Sequence, residues 1–575
     1  VIAVEVASLK RFAHRHFALL AYVLLYLVIV LFILPPTGEA LLTDDCDYSI
    51  TVFNWLQTGR LQLSDFPSMT LIGHLGWGAA FAKVFGSNQI ALRASTMVMV
   101  WLGGLAIYAL AIAHQRSTNF AAFCAATYVF NPFFLFYAYT FNTDVAGCST
   151  MLMFLALAQK TGNTRSILPW IGLGTMAGIC FLIRQTAAIP AIWYAAVLTY
   201  FVVTRQLHWL KLAIFGSAFV MLPAAYFFWL HFARDWPLGY EKRFLVFWQF
   251  FHVKIMAVKL ARMSLAVALY TLPLSLACMR FQSKHVLRWG VAFLGLLACS
   301  FAFYFVDMLK PVRPYWSQEF YDCGFGKKPE VLGLDAWIQS PRLVLPLGEV
   351  SVFDLFIVPL SLLSLFVWFY LIGKRIKLSS LNLQSLQPGS VDSQRLILGL
   401  TFASQWFLIV AVWDVFDRYF MPAIAIALVL LTVWLLTDKL SLKWCNAILL
   451  VTTVLGLLAI QDSRCQNEAA WKLAKHLGSR GIAPDRIWIG HQFFGTHVYL
   501  PEFYRRLESA KGDVRSMDRS DRQKLLGRPE NIQFRIIQCD TRTISDSAIA
   551  RLKFSSWIRS YEFFAIPIVE NGVVF

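Results

Sequence analysis

The chain has 575 residues, 58% of them hydrophobic and 15% charged, with 49 Phe and 20 Trp. A soluble domain carries about 25% charged residues, and the apolar residues here come in runs close to the ~20 needed to cross a bilayer, so a soluble globular protein is excluded. The net charge of +18 does not point to nucleic acid either, because most Lys and Arg lie in short gaps between apolar runs, where they set topology.

In chain order, spans are read over 17–34, 88–112, 119–138, 145–158, 167–183, 186–203, 211–230, 259–279, 289–306, 350–373, 394–412, 420–436 and 443–460, about thirteen by the length rule. The start "SLKRFAHRHFALLAYVLLYLVIVLFIL" has no small-residue cleavage pattern and is taken as an uncleaved first span. Lys10, Arg11 and Arg15 precede it. Alternate gaps then carry Arg116, Lys160 with Arg165, Arg205 with Lys211, Arg280 with Lys284 and Arg288, Lys374-Arg375-Lys377, and Lys439 with Lys443. Every second gap is basic, which places the N-terminus in the cytoplasm and, for an odd span count, the C-terminus outside.

The opposite side then holds 35–87, the turn 139–144, Arg184-Gln185, 231–258, a long loop 307–349, 413–419 and everything after 460. Residues 1–460 form the membrane domain. Residues 461–575 form a small outer α/β domain, because "NEAAWKLAKHLGSRG" has helical periodicity while "DRIWIG" and "NIQFRIIQCD" alternate like strands. In the first outer loop, "DYSITVFNWLQT" puts Asp47, Thr51, Asn54 and Thr58 on one face of a helix, expected to lie along the interface with that face toward water. "MTLIGHLGWGAAFAKVFG" reads as a second surface-lying piece. Of ten Cys, six (Cys124, Cys148, Cys180, Cys278, Cys299, Cys445) fall in or beside apolar runs as packing residues, and Cys465 and Cys539 share the tail, where pairing is left open.

Asp44 and Asp45, in "LLTDDCDYS", stand at the membrane rim. One role for them is capping the helix that follows. The other is chemical: adjacent carboxylates at a poorly hydrated rim repel, which raises one of them toward a value useful for a general base. Asp144, in "FYAYTFNTDVAGCS", reaches the same face, also before a helix, where an N-terminus favours a phosphate as well as a cap. Arg93, Arg184-Gln185 and Arg418-Tyr419 lie at the outer ends of spans. Such Arg often snorkel, but positive charge outside runs against the topology rule, and the planar guanidinium fork suits a phosphate. Lys310 and Arg313 in the long loop have the same potential. No GxxxxGK[ST] phosphate loop is present. An activated group used outside the cytoplasm would therefore arrive on a lipid phosphate; a carboxylate would deprotonate an acceptor hydroxyl while cations stabilise the departing phosphate.

The acidic run Asp44-Asp45-Cys46-Asp47-Tyr48, "FNTD", "IRQT", "DRYFMP" and the tail "QDSRCQNEAAWKLAKHLGSRGIAPDRIWIGHQF" resemble the C-type membrane glycosyltransferases. The likeness is to the branch that holds the protein O-mannosyltransferases and the bacterial lipid A aminoarabinose transferases. The resemblance spans nearly the whole chain. It implies a C-type architecture, a polyprenyl-phosphate sugar donor, inverting transfer, and a bacterial inner-membrane address with the active site facing the periplasm. It puts the base on Asp44, with Asp45 at a position often occupied by Glu, so that either carboxylate is open as the base. It puts the donor phosphate on Arg184, Gln185, Arg418, Tyr419 and Arg93. No HxxH or Cys/His cluster is present, and no catalytic metal or other cofactor is expected.

The acceptor is read as a periplasmic glycan or glycolipid, with protein O-mannosylation as the alternative. A lipid or lipid-linked sugar flippase is the competing class. It would place ionisable residues near the bilayer midplane in two related halves, whereas the charges here sit at span ends and no internal repeat is found.

Overall fold

The computed structural model describes residues 14–41, 44–162, 164–234, 236–240, 253–277, 342–345, 348–351, 360–369, 386–411, 417–435, 442–489, 491–510, 513–525, 533–538, 549–555, 557, 560–567, 569–570 and 573–574. The expected span 289–306 and most of the loop 307–349, with Lys310 and Arg313, lie outside them.

The described chain is mainly helical. Helix α1 (Phe17–Val28) runs on through a π-helical turn to Ile33, and α2 (Asp45–Thr58) and α3 (Ile72–Phe85) form the first connecting segment. There follow α4 (Gln89–Ala113), α5 (Thr118–Val129), α6 (Pro132–Ala138), α7 (Thr143–Thr161), α8 (Leu168–Ile183), α9 (Ile189–Val203) and α10 (Trp209–Trp229). Beyond these come α11 (Val253–Tyr270), α12 (Leu272–Ala277), α13 (Leu360–Phe369), α14 (Val391–Ala411), α15 (Met421–Leu430) and α16 (Leu442–Ser479). Among the described residues, four helices are long and apolar enough to span a membrane, five if the bent pair α5–α6 counts as one, and four more are apolar but shorter. The protein is multi-pass.

Local chemistry sets the helix ends. Asn88, Ser117 and Asn131 accept backbone N–H bonds at the starts of α4, α5 and α6, and Gly59, at φ +70°, closes α2 in a left-handed cap. The expected span 119–138 is bent by 58° between α5 and α6, where Pro132 cannot donate to the preceding turn. The short run 145–158 is part of the longer α7. That helix tolerates Asp144, Ser149 and Thr150 because the bundle rather than lipid covers them. Helices α8 and α10 pack closely through Gly174 and Gly178, where an added Cβ would lie 2.4 Å from the Phe215 carbonyl oxygen and 3.0 Å from Leu222. Helix α15 is buried on every side.

Three expectations are corrected. The span 350–373 starts too early, because Gly348–Ser351 is a strand paired antiparallel with Arg342–Leu345. The last span and the tail helix are one element: α16 has 38 residues, about 57 Å at helical rise. No Gly or Pro interrupts it between Leu457 and Leu477. Finally, the polar face of α2 does not meet water in its first half. Asp47 and Thr51 are buried, covered by Ser64 and by Tyr504 of the tail.

The outer half of α16 packs Ala469, Ala470, Leu473, Ala474 and Leu477 against Ile487, Phe563 and Ala565. Those three residues belong to a mixed four-stranded sheet, β3 (Ile487–Trp488), β4 (Phe534–Gln538), β5 (Ala550–Ser555) and β6 (Ser560–Pro567) in the order β3-β4-β6-β5, numbered after the hairpin strands β1 and β2. Only the β3–β4 pair is parallel. Ala40, Leu41 and Cys46 join the same apolar cluster, so the tail covers the segment that carries the acidic run. Cys465 is a free thiol; Cys539 lies outside the described residues.

Candidate active site

Asp44 occupies the N-cap position of α2, yet its side chain makes no cap bond. Its Oδ2 instead accepts from Arg418 Nη2 at 2.8 Å. Asp144 lies in the first turn of α7, whose cap is Asn142, and its Oδ1 is 2.6 Å from Arg184 Nη1. Arg418 Nε lies 3.8 Å from Asp144 Oδ2. Acid and base thus alternate in one chain, Asp44–Arg418–Asp144–Arg184, drawn from four separate segments. The capping role weighed for the two aspartates gives way to pairing with arginine. Such pairing repays the desolvation that an isolated buried charge would suffer.

Tyr419 completes the group: its ring centroid is 5.3 Å from the Arg184 guanidinium and 5.9 Å from that of Arg418. Gly147, one turn after Asp144, lets the Arg184 stem approach, since a Cβ there would sit 3.3 Å from the Arg184 Cβ. Below the chain, the Met69 sulfur takes Thr143 Oγ1 at 2.9 Å, Tyr48 Oη at 3.5 Å and Arg184 Nη1 at 3.9 Å. The Asp44 side chain is 18% exposed, against 4% for Arg418 and 1% for Asp144. Among the described residues Asp44 Oδ1 takes no hydrogen bond, and it lies at the open end of the chain.

The other expected site residues fall elsewhere. Asp45 is fully buried, within electrostatic reach of Arg93. Arg93 is bonded to the main chain: Nη1 donates to the carbonyls of Pro36, Thr37 and Gly38 at 3.0–3.3 Å, and Nη2 to Ala40 at 2.8 Å. Gln185 opens the 3₁₀ turn after Arg184, half-buried, and makes no side-chain hydrogen bond among the described residues. His74 stacks on Phe141 with ring centroids 4.2 Å apart, and burial lowers it to about 3, so it stays neutral. Among the described residues no three His, Cys, Asp or Glu converge as a metal-ligand set.

Sequence reading missed a second charged cluster one turn along α2. Asp47 accepts from Ser64, and burial raises it to about 7 despite that bond. Next in the loop, Asp65 takes both arms of Arg522 at 2.7 and 2.5 Å, with Arg234 at 3.6 Å. Its backbone N–H donates to Tyr499 Oη at 3.1 Å. Tyr504 Oη donates to the Gln62 carbonyl at 3.2 Å and lies 3.2 Å from Thr51 Oγ1. Asp65 and Arg234 both stand in outer segments, a signal available in principle. Arg522 is 457 positions from Asp65, and no local pattern links them.

Residues 77–230, which include Arg93, Asp144 and Arg184, match the profile of the family described as dolichyl-phosphate-mannose-protein mannosyltransferase. The curated undecaprenyl phosphate-alpha-4-amino-4-deoxy-L-arabinose arabinosyl transferase 2 of Proteus mirabilis is 27% identical over 266 residues, 41% of this chain. The match spans about half of that relative, 47% of its length. Crystal structures of ArnT from Cupriavidus metallidurans, bound to undecaprenyl phosphate and in the apo state, align over 95% of this chain and 97% and 98% of theirs. Their identity is 14% and their TM-scores are 0.37 and 0.36, values at which the overlap says nothing about side chains. Both sequence likenesses point the same way as the motifs, toward the branch of the protein mannosyltransferases and lipid A aminoarabinose transferases, and they cover part of the chain.

Proposed function

We propose that the protein is an inverting glycosyltransferase that moves a sugar from a polyprenyl-phosphate donor to a hydroxyl of a periplasmic glycolipid or polysaccharide, at the outer face of a bacterial inner membrane. The observation that carries this is the alternating chain with its open carboxylate oxygen. Asp44 Oδ1 takes the acceptor's hydroxyl proton as the acceptor oxygen attacks C1 of the sugar. The C1–O bond to phosphate breaks, and the electron pair leaves with the lipid phosphate. Arg418 and Arg184 are cations already held in place by Asp144, so they meet the phosphate's charge with little reorganisation. Tyr419 backs both guanidinium planes. Asp45, fully buried, is not the base.

The curated relative's name supports an undecaprenyl-phosphate sugar as donor. The description of the matched family favours a second reading, transfer of mannose to protein. A flippase is disfavoured by charges gathered at one end of the helices. The test is transfer of radiolabelled sugar from a panel of polyprenyl-phosphate sugars to host membrane extract, with Asp44→Asn and Asp45→Asn alongside. Transfer lost in the folded Asp44 variant and kept in the Asp45 variant is the expected result. Full activity of Asp44→Asn would remove the base assignment, and labelled protein instead of glycolipid would select the second reading.

A further inference from the structure

The segment "LPPTGEA", residues 34–40, runs from the end of α1 toward Asp44. Two prolines deprive it of N–H donors, so its backbone offers mainly carbonyls, which need partners once buried. Three helices supply them. Tyr139 Oη donates to the Leu34 carbonyl at 2.7 Å. Arg464, from α16, donates to Pro35 at 2.8 Å and to Thr37. Arg93, from α4, takes Pro36, Thr37, Gly38 and Ala40. Arg464 also lies over the Tyr139 ring, 5.4 Å from its centroid. Gly38 has φ +106°, and a Cβ there would fall 1.8 Å from the Glu468 carboxylate, so the strap admits only glycine at its turn.

An arginine bonded to carbonyls rather than to a carboxylate keeps its net charge. Arg93 is 2% exposed, and that charge acts on Asp45, which is itself fully buried. Arg93 therefore fixes the strap that leads to Asp44, the carboxylate of the pair that meets Arg418.

We infer that Arg93 and Arg464 are positioning residues: they clamp the strap 34–40 and so aim Asp44, and neither binds the donor phosphate. This rests on the reading of Asp44 as base. Lysine keeps the charge but has one compact head in place of the planar fork, and it cannot span carbonyls from Pro36 to Ala40. A displacement of about 1 Å at a reacting group is enough to cost roughly a hundredfold in rate.

The test compares Arg93→Lys, Arg464→Lys and Arg418→Lys with wild type in three readouts: hydrogen exchange of peptides covering 35–50, affinity for undecaprenyl phosphate in detergent, and donor turnover. The two clamp variants are expected to exchange faster over 35–50 and to turn over tenfold or more slowly, with affinity within about twofold of wild type. Arg418→Lys is expected to lose affinity and leave the exchange unchanged. Faster exchange with wild-type turnover would make the clamp merely structural and overturn the inference, and so would a tenfold loss of affinity in Arg93→Lys. An active Asp44→Asn variant would instead sink the base assignment, whatever the exchange data show.

Discussion

Two buried ionic groups flank α2, one at its N-cap and one in the loop that follows it, and they behave differently. The chain Asp44–Arg418–Asp144–Arg184 has an exposed end and, among the described residues, a carboxylate oxygen that takes no hydrogen bond. The cluster at Asp65 is closed: Arg522 grips both carboxylate oxygens, Arg234 stands behind, and the side chains of Asp65 and Arg522 are at most 3% exposed. The same residue types thus make a site in one place and a fastening in the other. What separates them is whether the charges are fully satisfied by the protein. A saturated buried pair leaves nothing for a substrate, whereas a chain one partner short has a valence to offer.

The largest expected effect breaks the open group alone. Asp44→Asn is predicted to reduce turnover by about 10²–10⁴-fold, the usual worth of a general base, while the melting temperature in detergent stays near wild type. The closed group should respond in the opposite sense. Arg522→Met leaves the buried Asp65 carboxylate short of its main partner and should cost about 3–5 kcal/mol of stability, read as earlier thermal unfolding and faster proteolysis of the tail. Equal loss of stability in both variants would erase the distinction between them.

Asp47 sharpens the comparison, because it lies between the two groups. It faces Asp44 on its own helix, Ser64 and Asp65 on the loop, Arg234, and Tyr499 and Tyr504 of the tail. Its folded-state value of about 7 is above the ordinary carboxylate range. The folded protein therefore holds this proton more tightly than the unfolded chain, and the stability so conferred is present at low pH and lost as pH rises through about 7. Asp47→Asn is predicted to match wild type near pH 4 and to be the more stable above pH 7, by up to about 4 kcal/mol. A constant difference across that window would contradict the assignment. The smallest effect is expected at Gln185, whose side chain makes no hydrogen bond among the described residues. Gln185→Ala should change turnover and donor KM by less than about twofold, and a tenfold rise in KM would return it to the phosphate site.

Much of the proposed site was legible before any coordinates. Arg184 and Arg418 stood out because arginine at the outer end of a span violates the positive-inside pattern, and Asp44 and Asp144 because carboxylates at a membrane rim need a reason. Arg93 violates the same pattern for another reason. Its partners are main-chain carbonyls, which every residue possesses and no sequence motif marks. The polar face of α2 was visible as a face, but its direction was not, since Ser64 and Tyr504 cover it from 17 and 453 positions away from Asp47 and Thr51.

Hydrophobic length and the distribution of Lys and Arg by themselves determined a multi-pass helical membrane protein with acids and arginines gathered at one end, because insertion energetics act on local composition. Only the tertiary structure decided which acid meets which arginine, that Asp44 pairs with Arg418 while Asp45 is fully buried, and that α16 carries the tail back over the first connecting segment. Those choices depend on distances between residues hundreds of positions apart, and on the need to satisfy each buried charge with whatever the fold brings near it.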